Sequence, residues 1–551
     1  MQLSKYITKY IEKKKIRKVF MLSGTGSIYL DDAFSKSKKL SYICARHEAA
    51  AVMMANATSK LNGTVGVVVA TTGPGGTNAI GGLTESWVDS VPILVISGQT
   101  FSHQISNKAR SFGLQGFNII DNVKKITKYS AIINNPKKIK YHLDKAFYYA
   151  TEGRPGPVWL DIPMNIQAAE VNPGLLKGFK KKDKIKKIDS LKYKKFNKIL
   201  NHSKNPVILF GQGIRLSNSI NVFKKFLKNL NIPAICTRMG LDILKYDDPN
   251  FFGLAGIRGH RFAQRILKKA DLILTIGTSV PHTVLGKDLN NINKKVQIIS
   301  NDIDINELKK KNLNQSKILF NSDCKDLLEK LRKSIKKSKN HQWSKWFSYC
   351  KEVKNNLPTL DKKVIKNPIN SYYLIECLNS LSSSNAIFIN DAGSANYASS
   401  QGLKIKGNQR EITSGAFYSM GVAVPMSVGA AAAYDNKRQT IVVTGDGSIE
   451  LNIQELRTIS LGNFNIKIFV INNGGYASIR KSQDDIMSGG HYIDDTSVLN
   501  FENIAKAFKI KYLKIDNYKH LKPKIKSVLN KKTPYLIEVI CDDKQKIIET
   551  V

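Results

Sequence analysis

Several apolar runs in this chain stop abruptly at glycine-rich turns, and that punctuation most limits the folds open to it. Ile441-Val442-Val443 leads to Gly445-Asp446-Gly447-Ser448, and Ile468-Phe469-Val470-Ile471 leads to Asn472-Asn473-Gly474-Gly475. Runs this short and this uniformly apolar suit parallel strands buried on both faces. The carboxyl end of such a strand is where open α/β sheets bind ligands. The residue types at the two turns agree with that position. Asp446 offers a carboxylate, Asn473 an amide oxygen, and the glycines let backbone groups come close. Hard oxygen donors that leave room for phosphate oxygens and water suit Mg²⁺. The plainer alternative is two unrelated turns, since Asp, Asn and Gly are common turn residues.

The same punctuation recurs along the chain. Val65–Ala70 runs into Thr71-Thr72-Gly73-Pro74-Gly75-Gly76-Thr77-Asn78, and a second run, Pro92–Ser97, ends in Gly98-Gln99. Pro206–Phe210 precedes Gly211-Gln212-Gly213, and Asp271–Ile276 precedes Gly277-Thr278-Ser279. Short apolar runs alternating with amphipathic stretches predict an α/β chain of doubly wound parallel sheets. At 551 residues the chain is too long for one core and fits three domains. The expected divisions are 1–168, 190–335 and 365–551, separated by a lysine-crowded stretch over 168–195 and a mixed charged stretch over 336–366. Gly211-Gln212-Gly213 lacks the third glycine of a dinucleotide fingerprint, so that signal is weak.

Near the N-terminus, Arg46-His47-Glu48-Ala49-Ala50-Ala51 opens a segment of small apolar residues that reads as a buried helix. A carboxylate at its head is either a favourable charge at a helix N-terminus or a functional acid.

Asn473 follows Asp446 by 27 residues, and this pair of motifs resembles the thiamine diphosphate motif. The order of the remaining motifs resembles the acetolactate synthase group over most of the chain. The resemblance implies three domains: a pyrimidine-binding one, a central one and a diphosphate-binding one. It implies that Asp446, Asn473 and the Gly475 carbonyl hold Mg²⁺ against the diphosphate. Gly73, Gly393, Ser394, Gly445, Gly447, Ser448 and Met420 would line the cofactor, Met420 by propping it in a bent shape. Glu48, in its His-Glu-Ala-Ala-Ala context, would bond the aminopyrimidine ring and share a proton with it. Gln115 would lie near the reacting carbon.

The implied activity is decarboxylation of a small 2-oxo acid, pyruvate first, with carboligation to an acceptor carbonyl. In relatives, domains of two subunits face each other, so a homodimer is the expected minimum and a homotetramer is plausible. Departures from the acetolactate synthase pattern leave the acceptor open. Ser482 stands where a Trp would fall, and Asp391-Ala392-Gly393-Ser394-Ala395-Asn396 replaces a Gly-Gln-His-Gln-like run. Gly277-Thr278-Ser279-Val280-Pro281-His282 replaces the run associated with FAD and lacks its Arg, which weighs against FAD. Transfer of a two-carbon unit to a nucleotide keto-sugar in surface polysaccharide synthesis is the alternative. A hydrolase of a cyclic diketone and a non-catalytic cofactor-binding homologue are others, and the retained Glu48 argues against the last.

Lys and Arg total 86 against 43 acidic residues, a formal charge of +43. Such a field could attract nucleic acid or an anionic membrane. The lysines are spread over all three domains with no nucleic-acid motif, so solvated surface charge is the expected reading, with neither partner. No run approaches transmembrane length and no signal peptide is evident. Six scattered cysteines without metal spacing fit a reducing cytoplasm, with Cys44 and Cys541 expected to pack as small apolar residues.

Overall fold

Valine and isoleucine fill the strands because both faces of each strand are covered. Gly66–Ala70, Ile93–Gln99, Pro206–Phe210 and Leu272–Ile276 are buried throughout. Thr440–Gly445 and Ile466–Asn472 are buried up to their last residue. In this computed structural model, which describes residues 1–106, 109–181, 190–280, 282–285, 296–310, 316–334, 342–360, 362–487 and 497–548, the strands form three six-stranded sheets. All their pairings are parallel. The α/β, three-sheet architecture is the one expected. Pro281 and parts of both linker stretches, 182–189 and 335–341, lie outside the described residues.

The first sheet runs Ser41–Cys44, Lys18–Met21, Gly66–Ala70, Ile93–Gln99, Val158–Pro163, Tyr129–Ile132. The third runs Arg410–Thr413, Ile387–Asn390, Thr440–Gly445, Ile466–Asn472, Tyr535–Ile540, Lys511–Ile515. Counted within each domain, both follow the order 2-1-3-4-6-5, so the terminal domains share one topology. The middle sheet runs Ser316–Asn321, Gln297–Asp302, Leu272–Ile276, Pro206–Phe210, Ala234–Cys236, Phe251–Leu254. That is the doubly wound order 3-2-1-4-5-6 read from its far edge.

The two terminal domains meet through helices Glu48–Asn62 and Ala423–Ala433. Small side chains let the backbones come together: a Cβ on Gly429 would sit 2.0 Å from the Met54 carbonyl oxygen. Thr58 Oγ1 donates to that same neighbourhood, to Gly429 O at 2.9 Å and Met54 O at 3.1 Å. One apolar cluster therefore runs continuously from Val95 and Trp159 to Val442 and Val470.

A buried ionic junction ties in the middle domain. Asp242 accepts from Arg215 Nη2 at 2.6 Å and from the Arg410 guanidinium. Arg410 also donates to the carbonyls of Lys60 (3.0 Å) and Leu61 (3.3 Å). Those carbonyls belong to the last turn of helix Glu48–Asn62, which has no helical partners for them and favours a cation. Burial alone would raise the Asp242 carboxyl, but Arg215 and Arg410 more than offset it and bring it to about 2. A folded value below the unfolded one (about 3.9) means stability present above pH 4 and lost as pH falls toward 2. Asp242→Ala leaves Arg410 and Arg215 buried without their partner and should destabilise the fold by roughly 3–5 kcal/mol. Thermal denaturation at pH 7 checks this, and the gap between variant and parent should narrow below pH 4.

Candidate active site

Gly445 closes its strand and Asp446 starts the short helix Asp446–Glu450, so the carboxylate is fixed at the carboxyl edge of the third sheet. Asp446 is 3% exposed. Its Oδ1 accepts from Gly447 N at 2.9 Å. Its Oδ2 accepts from Asn473 N and Gly475 N, both at 2.9 Å. The second motif can reach back because Gly474 (φ 80°), Gly475 (φ 77°) and Tyr476 (φ 49°) all take left-handed conformations. Asn472 stabilises the turn, its Oδ1 accepting from Gly474 N at 3.3 Å and its Nδ2 donating to Glu538 at 2.6 Å. Arg480 donates to the Asn473 carbonyl at 3.0 Å and to the Gly474 carbonyl.

This arrangement fits a hard cation. Asn473 Nδ2 donates to Ser394 Oγ at 3.4 Å, which leaves Oδ1 as its acceptor. Asp446 and Asn473 Oδ1 face the cavity with oxygen donors, the type Mg²⁺ prefers, and a backbone carbonyl such as that of Gly475 would complete such a set. Gly393 (φ 63°) approaches only Ser478 Oγ, 3.6 Å from its notional Cβ, so the backbone there stays open to a ligand.

A cavity of about 970 Å³ opens on this edge. Gly393, Ser394, Met420, Gly445, Asp446, Gly447, Ser448 and Asn473 all line it. The opposite wall comes from the middle sheet's strand ends, with Gln212, Gly213, Gly277 and Thr278, and part of the rim from Asp89, Ser90 and Arg154. Gly475 does not line this cavity; its amide donates to Asp446.

Glu48, Gly73 and Gln115 gather elsewhere and do not line that cavity. Glu48 is 5% exposed and starts its helix, with His47 as the cap: Nδ1 accepts from Ala49 N at 3.2 Å. Asn78 Nδ2 donates to Glu48 Oε2 at 3.0 Å. Gly75 passes so close that its Cβ would lie 3.3 Å from Glu48 Oε1. Gly73 (φ 58°) touches the Gln115 backbone, where a Cβ would come 2.5 Å from the carbonyl oxygen. The Gln115 side chain itself is exposed.

Gln99 fastens these loops together, a role its place at a strand end did not reveal. Its Nε2 donates to Phe117 O (2.7 Å) and Asp161 Oδ2 (2.9 Å), and its Oε1 accepts from Thr72 Oγ1 (2.9 Å). Asp161 is wholly buried; burial pushes its carboxyl up to about 7 against the pull of Ser97 and Gln99. Asn78, Gln99 and Asp161 carried no sequence signal beyond lying in or beside strand-end turns.

Three family descriptions match in order. They are the N-terminal TPP binding domain of thiamine pyrophosphate enzymes over residues 1–123, the central domain over 193–331, and the C-terminal TPP binding domain over 391–539. The chain belongs to the thiamine pyrophosphate enzyme family. Within it, the chain is acetolactate synthase-like. It is 29% identical to the acetolactate synthase large subunit of Lactococcus lactis, over 100% of this chain and 94% of that protein. It is 26% identical to the isozyme 1 large subunit of Escherichia coli, over 100% and 95%. It is 28% identical to the chloroplastic acetolactate synthase 2 of Zea mays, over 100% and 86%. No helix among the described residues is long and apolar enough to cross a membrane.

In this thiamine pyrophosphate enzyme, Gly447 is packed under the Tyr476 ring, and a Cβ there would come 2.6 Å from Tyr476 Cζ. Gly447→Val should push Tyr476 aside and lower thiamine diphosphate affinity by more than about tenfold, a loss of roughly 1.4 kcal/mol or more. Calorimetric titration, with circular dichroism to confirm the fold, checks it.

Proposed function

We propose that this enzyme decarboxylates a 2-oxo acid, pyruvate first, and joins the remaining two-carbon unit to an acceptor carbonyl. The observation that carries the reading is Asp446, whose buried carboxylate braces Asn473 and Gly475 at a sheet edge in a thiamine pyrophosphate enzyme. Asp446, Asn473 Oδ1 and the Gly475 carbonyl would hold Mg²⁺, and Gly445, Gly447, Ser448, Gly393 and Ser394 would line the diphosphate. Bound thiamine diphosphate supplies an electron sink for the bond broken as CO₂ leaves. Glu48 holds and passes a proton at the aminopyrimidine ring nitrogen, steadied by Asn78. Met420 supports the cofactor's shape, and Gln115 faces the reacting carbon. The bond to CO₂ breaks, a carbon–carbon bond to the acceptor forms, and the acceptor oxygen takes a proton.

The working unit is a homodimer or a larger assembly built from it. Glu48 and the Asp446 turn do not share a cavity within one chain, so a complete site needs the Glu48 edge of a second copy. Exposed Phe112, Leu114 and Phe117 beside Gln115, and exposed Phe417, Leu451 and Ile479 near the Asp446 turn, are apolar rims suited to that contact. Six free cysteines suit a reducing cytoplasm. Ser482, which stands where the resemblance expects a Trp, lies on the cavity wall and leaves room for an acceptor larger than a second pyruvate, so a nucleotide keto-sugar is the second reading.

Incubation with thiamine diphosphate, Mg²⁺ and labelled pyruvate, offering pyruvate, 2-oxobutyrate and nucleotide keto-sugars, tests both readings by mass spectrometry. Label released as CO₂ and retained in a carboligation product supports the proposal; pyruvate left intact overturns it. Glu48→Gln should bind the cofactor normally yet slow proton exchange at its reactive carbon by about 10²–10⁴-fold, read by NMR. Asp446→Ala should abolish Mg²⁺-dependent retention of thiamine diphosphate on gel filtration, and retention equal to the parent's would remove the metal assignment.

A further inference from the structure

The loop Ser414–Gly421 carries Met420 into the cavity, and its backbone is gripped by a carboxylate from another domain. Asp89 stands just past the end of helix Pro74–Val88 in the N-terminal domain, with a fully buried side chain. Its Oδ2 accepts from Gly415 N and its Oδ1 from Ala416 N, both at 3.0 Å. Lys60 Nζ, also buried, donates to Asp89 Oδ2 and to the Thr413 carbonyl, both at 2.8 Å. At its other end the loop is held from its own domain: Asp391 Oδ1 accepts from Gly421 N at 2.9 Å, and Oδ2 from Ala423 N at 3.3 Å.

Between these two anchors the loop turns sharply, with Tyr418 (φ 54°) and Gly421 (φ 75°) in left-handed conformations. Such a turn holds its shape only when its surroundings fix it. The far side is equally confined, since a Cβ on Gly415 would come 2.1 Å from Met239 Cγ. Glu85, one turn before Asp89, is also buried. Burial pushes its carboxyl up to about 8, against the pull of Lys60 and with the repulsion of Asp89 and Asp391. At neutral pH it is therefore mostly protonated, and the Lys60 charge is left to Asp89. A carboxylate taking two amide donors and an ammonium is a strong, directional anchor.

We infer that Asp89 is a positioning residue for the cofactor site, setting the height of Met420 through the Gly415 and Ala416 amides. This rests on the reading that Met420 supports thiamine diphosphate. The helix that ends at Asp89 begins beside Glu48, where Asn78 bonds it. One rigid element thus serves the Glu48 half-site at one end and the Met420 half-site at the other.

Asp89→Asn keeps the shape but turns a donor toward one of the two amides. Hydrogen-exchange mass spectrometry on the cofactor-free protein should show residues 414–421 exchanging about tenfold to a hundredfold faster, the range for losing a hydrogen bond to a charged group. Unchanged exchange there overturns the inference. In the loaded enzyme, proton exchange at the cofactor's reactive carbon should slow about tenfold while thiamine diphosphate affinity stays within about threefold. Equal losses in both would mark Asp89 as a general support of the fold and overturn it. A double-mutant cycle with Met420→Ala separates the path: Asp89→Asn should add nothing once Met420 is gone, and additive losses overturn the inference. If Asp89→Asn does not fold, Asp89→Glu keeps the Lys60 pair while displacing the carboxylate, and should shift both readouts in the same direction. Should the parent protein fail to bind thiamine diphosphate, the Proposed function falls, and the exchange arm still decides whether Asp89 holds the loop.

Discussion

The contact between helices Glu48–Asn62 and Ala423–Ala433 governs where both half-sites point. Both helices are rich in small residues, and the Met54 carbonyl lies so near Gly429 that no side chain fits between. Because Glu48 is the first residue of one partner helix, fixing that helix fixes the acid. The other partner follows directly on Met420 and Gly421, so the same contact sets the loop near the Asp446 turn. Two sheets of identical strand order are thereby joined, with Glu48 lying outside the cavity at the Asp446 edge. In the homodimer proposed above, a second copy would bring its Glu48 edge to the Asp446 turn.

What the sequence made legible was local. The pair of strand-end turns could be read because its pattern lies in the same few residues: an apolar strand stops, glycines follow, and Asp446 and Asn473 stand at the stop. Glu48 could be read because a carboxylate before a run of alanines contrasts sharply with its neighbours. The residues that hold these groups could not be read. Gln99 and Asp161 lie 62 positions apart, and Asp89 reaches Gly415 across 326. Lys60 looked like one lysine among many, yet it is 9% exposed and carries a buried ion pair. Its role depends on a partner that no local pattern names. Cys44 packs against the N-terminal core as expected, though only half-buried at the end of strand Ser41–Cys44, and Cys541 is buried as expected.

The large positive charge bears on the surface, whereas the charges that matter to the architecture are few and sit at domain junctions. Lys60–Asp89 joins the N-terminal domain to the Met420 loop. Arg238 donates to both carboxylate oxygens of Glu411, at 2.6 and 2.9 Å, across the middle and C-terminal domains. Asp242 and Arg410 touch all three domains. Buried pairs of this kind give little net stability over apolar residues of the same size, because desolvation consumes most of the attraction.

Their effect is better understood as choosing among packings. Sliding Ala423–Ala433 along Glu48–Asn62 would bring a side chain such as that of Val428 or Ala430 against the Met54 carbonyl in place of Gly429, so the close contact already limits the registers open to it. Apolar burial is non-directional and cannot tell such registers apart. Hydrogen bonds can. Thr58 to Gly429, Lys60 to Thr413 and Arg410 to the terminal carbonyls of the helix are satisfied together in one register. In any other register Lys60 would lose the Thr413 carbonyl and Arg410 the Lys60 and Leu61 carbonyls, leaving each cation only its carboxylate partner, Asp89 or Asp242. Gly429 thus allows the close approach, and the polar and ionic groups along the same helix pair hold the register in which it is made. Glu48 and Met420 inherit their positions from that register.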